Sequence, residues 1–403
     1  MRAQEIFEDD KLNSPEFHAL LTPAVMQLNK AFSDAGFEIR IVGGAVRDLI
    51  LGKEPKDIDM ATTAQPEQAM ALLAKLGVQV EPTGLQHGTI TAVIDKEPIE
   101  ITTLRIDKNQ DGRHAEVEFT TDWRQDAERR DLTYNAMSLG LDGTLYDYFG
   151  GVEDLKNHRT AFVGTADKRI QEDFLRILRY FRFVGRQPQV QWDQDTLDAI
   201  QRNAKGLEQI SGERIWAEMF KIMGGDHVVE ILKTMNALGV LRHCGFNMLN
   251  NLDKVATLKA NRVGDPRFTL AALLPSVEAL AKLRQRWKFD SPSHKLMEFM
   301  IQNRRIPLSF DVAIRMITLD KIDKNLVRAL FKYRGMMQIA KDLKTWEPPA
   351  FPISGNDLIQ AGMKPSKDMG QMIANLRKMW LEDGFKMTKD QLLRQALKMK
   401  LGQ

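Results

Sequence analysis

Residues 40–63 read RIVGGAVRDLILGKEPKDIDMATT, and the fold turns on how this stretch is read. The β-branched run FEIRIV (37–42) predicts a strand that meets Gly43-Gly44; AVRDLILG then predicts a short helix stopped by Gly52. A glycine pair between strand and helix lets backbone approach a ligand closely, and free N–H groups at a helix start favour an anion. Arg47, one turn in, adds a charge-assisted donor for phosphate. A Gly-Gly turn is equally an ordinary structural device when it stands alone. DIDMAT predicts a second strand. There Asp57 and Asp59, at i and i+2, share one face while Ile58 and Met60 enter the core. Adjacent carboxylates repel unless a cation lies between them, and hard oxygen ligands with room for water and phosphate suit Mg²⁺. Such ions activate an attacking hydroxyl and stabilise a departing pyrophosphate, the chemistry of nucleotidyl transfer.

Working outward, TITAVI and IEITTLR predict further strands, PEQAMALLAKLG a helix, and residues 15–35 one helix ended by Gly36. Glu100, on a neighbouring strand, is either a third carboxylate of the site or an ordinary edge-strand glutamate. Strand signals end near residue 155, after TLYDYFGGVEDL, and helical periodicity follows, broken at 261–266, 289–293 and 347–355 where Pro and Gly cluster. The expected class is α+β: a small head with a mixed sheet and helices, then an elongated all-helical remainder.

The 403 residues are 43% hydrophobic and 28% charged, enough for several packed units; a net charge of +3 neither demands nor excludes nucleic acid. Cys244 is the only cysteine, so an intrachain disulfide is impossible. Its place beside His243 reads as packing rather than as a nucleophile and its base. The opening MRAQEIFEDD has no apolar signal core and is acidic early, which argues against secretory and mitochondrial signals; no run approaches a membrane span, and neither zinc-ligand spacing nor GxxxxGK[ST] occurs. These features lead us to expect a cytoplasmic protein without membrane association.

Two further stretches carry chemistry. AERRDLTYNAM (127–137), read as helix, places Asp131 and Asn135 on one face beside Arg130, a set suited to a triphosphate and a sugar hydroxyl; the alternative is a surface helix with an Asp126–Arg130 pair. EDFLRILRYFRF (172–183), read as one helix, buries Phe174, Leu175, Ile177, Leu178 and Phe181. Asp173, Arg176, Arg179 and Arg182 recur every third residue as a slowly winding polar ribbon. A carboxylate beside a guanidinium can accept from the exocyclic amino group of cytosine or adenine while donating to the ring. Uracil and guanine present a carbonyl there and are disfavoured. The alternative is a solvated basic face that grips RNA backbone.

Taken in order, these motifs resemble those of the class II CCA-adding enzymes (tRNA nucleotidyltransferases) of the polymerase-β-like superfamily. They are GGAVRD, Asp57-x-Asp59, Arg129-Arg130-Asp131 with Asn135, DYFGGVEDL, Glu172-Asp173-x-x-Arg176 and Glu213-Arg214-x-x-x-Glu218. The resemblance covers residues 40–218 and continues more weakly through FPISGNDLIQAGMKPSKDMGQMIANL. It implies a head (1–155), a neck that recognises bases (156–222), a body (223–290) and a tail that binds tRNA (291–403). It implies addition of CCA to tRNA from CTP and ATP, with Asp57 and Asp59 as catalytic Mg²⁺ ligands and contacts to the tRNA 3′ end and acceptor/TΨC arm. The nucleotide-binding positions it implies are Gly43, Gly44, Arg47, Arg130, Asp131, Asn135, Asp173, Arg176, Arg179 and Arg182, with Glu213, Arg214 and Glu218 as neck supports. Tyr148 departs from the family's common proline, and no phosphohydrolase signature follows. DKNQDGRHAEVEF (107–119), with Arg113 and His114, matches the loop needed for the final adenosine. Competing expectations are a bacterial-type poly(A) polymerase and a catalytically idle RNA-binding protein of the same fold.

Overall fold

The structure, a computed structural model, describes residues 7–8, 11–108, 116–247, 249–366 and 368–401. The chain divides into two compact units, residues 1–249 with 285–289, and residues 250–284 with 290–403.

The first unit is built on a mixed sheet of seven strands: β1 (Ile39–Val42), β2 (Asp59–Thr62), β3 (Gln79–Gly84), β4 (Thr89–Ile94), β5 (Glu97–Thr103) and, after a separate ribbon, two more. The ribbon pairs β6 (Arg105–Lys108) with β7 (Glu116–Phe119), and the last sheet strands are β8 (Ser138–Gly140) and β9 (Leu145–Tyr146). The order across the sheet is β9-β8-β1-β2-β5-β4-β3. Only β2 and β5 run parallel, which requires the long crossover through the helix Pro66–Lys75 and the β3–β4 pair. The register sets Val42 opposite Asp59 and Asp59 opposite Glu100, so the ends of three strands deliver the glycine pair and the acidic residues to one place.

The four expected strands are present. β3 escaped notice because QVEPTG is half-polar and holds Pro82, tolerated because this strand lies at the sheet edge. The expected single helix over 15–35 is two, Pro15–Leu20 and Pro23–Asp34. Pro23 cannot continue a helix, and Thr22 caps the second by accepting from the Val25 amide at 3.3 Å.

Helices flank the sheet and follow it: α1 (Gly44–Ile50), α2 (Trp123–Glu128), α3 (Gly151–Lys156), α4 (Ala166–Glu172), α5 (Leu175–Val184), α6 (Gln194–Asn203) and α7 (Gly212–Gly224). Two readings of continuous helix are corrected here. AERRDLTYNAM leaves α2 at Glu128 and makes only a 3₁₀ turn at Thr133–Asn135, because the Asp131 carboxylate turns back on the Leu132 amide at 2.9 Å. EDFLRILRYFRF breaks at Asp173, whose backbone is extended (φ −153°, ψ 105°) and whose carboxylate accepts from the Leu175 amide at 3.1 Å. The aspartate therefore stands at the mouth of α5 rather than within it. The solvated basic face does not exist either: Arg176 and Arg182 are buried with the apolar residues of α5.

The second unit is helical. It includes α8 (Leu252–Ala260), α9 (Pro266–Leu273), α10 (Ser291–Asn303) and α11 (Lys324–Tyr333), and near its C-terminal end a core of Leu358, Leu376, Trp380 and Leu392. Asp265, Asp290 and Ser354 cap helices at the three expected breaks. No helix among the described residues is long and apolar enough to cross a membrane. In the expected loop over 107–119, residues 109–115, with Arg113 and His114, lie outside the described residues.

Candidate active site

β1 ends at Gly43, whose positive φ of 69° turns the chain sharply into α1. The positive φ favours glycine, and a Cβ at Gly43 would also stand 3.3 Å from Nη1 of Arg130, a tight contact that the arginine would have to relieve. The start of α1 faces a cleft of about 530 Å³ within the first unit, lined by Gly43, Gly44, Arg47 and Asp59 from the sheet side. Arg129, Arg130, Asp131 and Asn135 line it from the segment after α2, and Asp173, Arg176, Arg179 and Phe183 from the mouth and face of α5. All the expected nucleotide-contacting positions except Arg182 thus border one cavity, together with Asp59 but not Asp57.

Hydrogen bonds tie the far walls together. Arg47 Nη1 donates to Asn135 Oδ1 at 3.2 Å, Asn135 Nδ2 donates to Asp131 Oδ1 at 3.3 Å, and Arg179 Nε donates to Asp131 Oδ2 at 2.6 Å. Burial disfavours the Asp131 anion, but Arg179 and these donors hold its carboxyl below the usual range. Arg130 donates to Asp126 Oδ2 at 3.3 Å and to the Asn135 carbonyl at 3.4 Å. Burial lowers its pKa from the ordinary value, with Asp126 acting against the shift.

The expected base-reading pair takes a form the sequence did not suggest. Asp173 Oδ2 accepts from Arg214 Nη2 at 2.6 Å, not from Arg176. Arg176 Nη1 donates to the Arg169 carbonyl at 2.9 Å and to Glu172 at 2.5 Å, and Nη2 to the Arg129 carbonyl at 2.9 Å. Arg182 is turned away. Six residues along a helix carry it about 120° from Arg176, and it pairs with Glu218 at 3.0 Å, both side chains under one-tenth exposed. Burial pushes the Arg182 pKa down to about 10, and Glu218 opposes the shift. Glu218 of α7 and Arg214, one helical turn earlier, thus each hold a polar residue in or beside α5. Arg105, Arg129 and Arg214 line the cleft although none was proposed as a nucleotide contact; RR at 129–130 and GER at 212–214 signalled two of them, and Arg105, at the end of IEITTLR, had no such signal.

Seven arginines and three aspartates line the cleft, an excess suited to a polyanion. Asp57 lies in a bend just before β2 rather than in the strand, because the strand starts only at Asp59. Asp59 nevertheless feels its acidic neighbours. Burial first, then Glu100, and more weakly Asp57, raise its pKa against the pull of Arg130. Carboxylates crowded in this way fit a divalent cation. Among the described residues no group of three or more His, Cys, Asp or Glu side chains is placed to hold a metal ion.

Residues 39–161 match the family model of the poly A polymerase head domain, and 191–244 match a probable RNA- and SrmB-binding site of polymerase A. The chain is 44% identical to the mitochondrial CCA tRNA nucleotidyltransferase 1 of Mus musculus over 95% of its length and 92% of the relative's. The Homo sapiens protein of the same name gives the same identity and coverage. The chain belongs to the CCA tRNA nucleotidyltransferases. The nucleotidyltransferase fold is shared with the Bacillus stearothermophilus CCA-adding enzyme solved in complex with CTP, at a TM-score of 0.79 and 23% identity, covering 96% of this chain and 98% of that one. Nucleotidyltransferases of this superfamily generally use a divalent metal. The expectation of a cytoplasmic protein is overturned, since the mouse and human relatives are mitochondrial. The acidic opening, which read by itself argues against a mitochondrial signal, does not decide the compartment, and a lone cysteine suits either.

Proposed function

We propose that this nucleotidyltransferase adds CCA to the 3′ end of tRNA from CTP and ATP, without a nucleic-acid template, in the cleft of the first unit. The observation that carries the reading is the convergence there of the Gly43-Gly44 turn, Asp59, the arginine excess and Asp173. Asp57 and Asp59 would hold Mg²⁺, which would supply Lewis-acid polarisation of the phosphoryl group and lower the pKa of the attacking 3′ hydroxyl. The amides at the start of α1, with Arg47 and Arg130, grip the triphosphate, and Asn135, positioned by Asp131, reaches the sugar. Asp173 accepts from the amino group of C or A, and Arg176 donates to the ring. Both are engaged with protein partners, so base reading requires Arg214 to share or yield its carboxylate. Arg179 stiffens the wall through Asp131, and Arg182 acts on α5 from behind through Glu218. Residues 1–155 serve as head, 156–222 as neck, and 223–290 and 291–403 as body and tail. Body and tail bear on the acceptor/TΨC arm.

The test is incubation with tRNA lacking its 3′ end and all four nucleotides. The expected product is C, C, A and a stop. An unending A tail would assign the chain to poly(A) synthesis instead, and no incorporation would leave only RNA binding.

A further inference from the structure

The second unit holds a cavity of about 550 Å³ where the start of α8 meets the ends of α9, α10 and α11. Four cations line it, Lys254, Arg304, Arg305 and Arg334, and no carboxylate does. Two of them have structural work. Arg304 donates to the carbonyls of Ala271, Leu274 and Pro275 at 3.1, 2.8 and 2.6 Å, and Arg334 to those of Arg304 and Ile306 at 2.9 Å each. These carbonyls satisfy donors but leave both guanidiniums charged. Lys254 sits over the Tyr333 ring at 4.8 Å, and burial, then Arg334, lowers its pKa. Arg305 is exposed at the rim. Gathering four like charges in one concavity costs free energy, and an anionic ligand offsets that cost.

The character of the cavity narrows the ligand. With no carboxylate to hold a divalent ion, it takes the anion directly. Tyr333 is buried and lies under Lys254, so no open ring face remains for a base to stack on. Asn250 and Asn251 add polar side chains to the rim. This is chemistry for a phosphate group held without regard to sequence.

We infer that this cavity of Lys254, Arg304, Arg305 and Arg334 is a subsite for a backbone phosphate of the RNA substrate. The inference rests on the reading of the chain as acting on tRNA. Arg304 and Arg334 also tie helix ends, so the probes are Lys254 and Arg305. In the full-length protein, binding of tRNA lacking its 3′ end is measured against salt concentration for wild type, the double variant Lys254→Ala/Arg305→Ala and the single variant Arg305→Glu. The Kd should rise about tenfold in both variants, and the slope of log Kd against log salt should fall by about one for each phosphate that is no longer neutralised. CTP incorporation at saturating tRNA should stay at the wild-type rate. Unchanged Kd and slope in both variants would overturn the assignment. A second arm adds inorganic phosphate at matched ionic strength. Phosphate should weaken tRNA binding to wild type more than to the double variant; phosphate that binds wild type through Lys254 and Arg305 without weakening tRNA binding would make free phosphate the ligand and overturn the RNA assignment. Wild type that shows the variant-sensitive salt slope yet adds no CCA would leave this subsite standing and refute the proposed activity.

Discussion

Replacing Asp173 with asparagine turns one hydrogen-bonding oxygen at the mouth of α5 into a donor and gives up the ion pair with Arg214. Oδ1 of the aspartate accepts from the Leu175 amide, and the asparagine oxygen can keep that bond. The other end changes from an acceptor, now serving Arg214 at 2.6 Å, to an NH₂ donor. A donor there no longer meets the amino group of cytosine or adenine favourably, and it matches the carbonyl that uracil or guanine presents. A hydrogen-bonded base contact of this kind discriminates by about 1–3 kcal/mol, so preference for C and A over U and G should fall about ten- to hundredfold. Asp173→Ala loses the acceptor without gaining a donor and also removes the helix cap, costing about 1 kcal/mol of stability. It should lower discrimination less and Tm more. Arg176→Ala is the poorer probe, because it strips the donor from the buried carbonyls of Arg169 and Arg129 and would slow all nucleotides through misfolding of the wall. The assay is single-turnover incorporation of CTP, ATP, UTP and GTP at saturating tRNA. Equal loss for all four nucleotides in Asp173→Asn would refute base reading by this residue.

Asp57→Ala and Asp59→Ala should each reduce C and A incorporation by about 10³-fold or more with the fold intact by circular dichroism; near-normal rates in Mg²⁺ would remove these residues from the metal site. Arg182→Met should lower stability by about 3–5 kcal/mol in denaturant titration, because it strands Glu218 in the interior, with nucleotide choice unchanged. Lys221, 3.9 Å from Glu218, should hold the loss toward the lower figure, and altered selectivity at unchanged stability would instead make Arg182 a base contact. Cys244 is fully buried and burial pushes its thiol up to about 12, so it should stay protonated and resist a maleimide at pH 8 until denaturant is added. Rapid native labelling would contradict that burial.

How far the sequence could be read depended on the range of the forces involved. β1, the Gly43 turn and α1 were legible because strand, glycine and helix signals are local, and Asp59 followed from the alternation of DIDMAT. Glu100 was correctly placed beside it, but only the parallel register of β5 on β2 fixed the pairing. The continuous helix drawn through Asp173 failed because a short carboxylate beside a free amide competes with the helix, and periodicity does not register that competition. Arg182 looked equivalent to Arg176 and Arg179 along the ribbon; Glu218, thirty-six residues away, decides which way it faces. Arg214 was assigned to support for a similar reason, since its partner Asp173 lies forty-one residues earlier and no local pattern connects them.

The run of bonds from Arg47 through Asn135 and Asp131 to Arg179 joins the glycine turn to α5 without a break. If the proposed roles hold, triphosphate grip and base choice are not independent dials. A substitution that re-aims α5 to accept a different base would pull on Asp131, and through it on the Arg47 guanidinium proposed to grip the phosphates. Lineages or engineers altering which nucleotide is taken should find their gains in selectivity arriving with shifts in nucleotide affinity. Compensating changes should cluster at residues 47, 131 and 135, well outside the segment that faces the base.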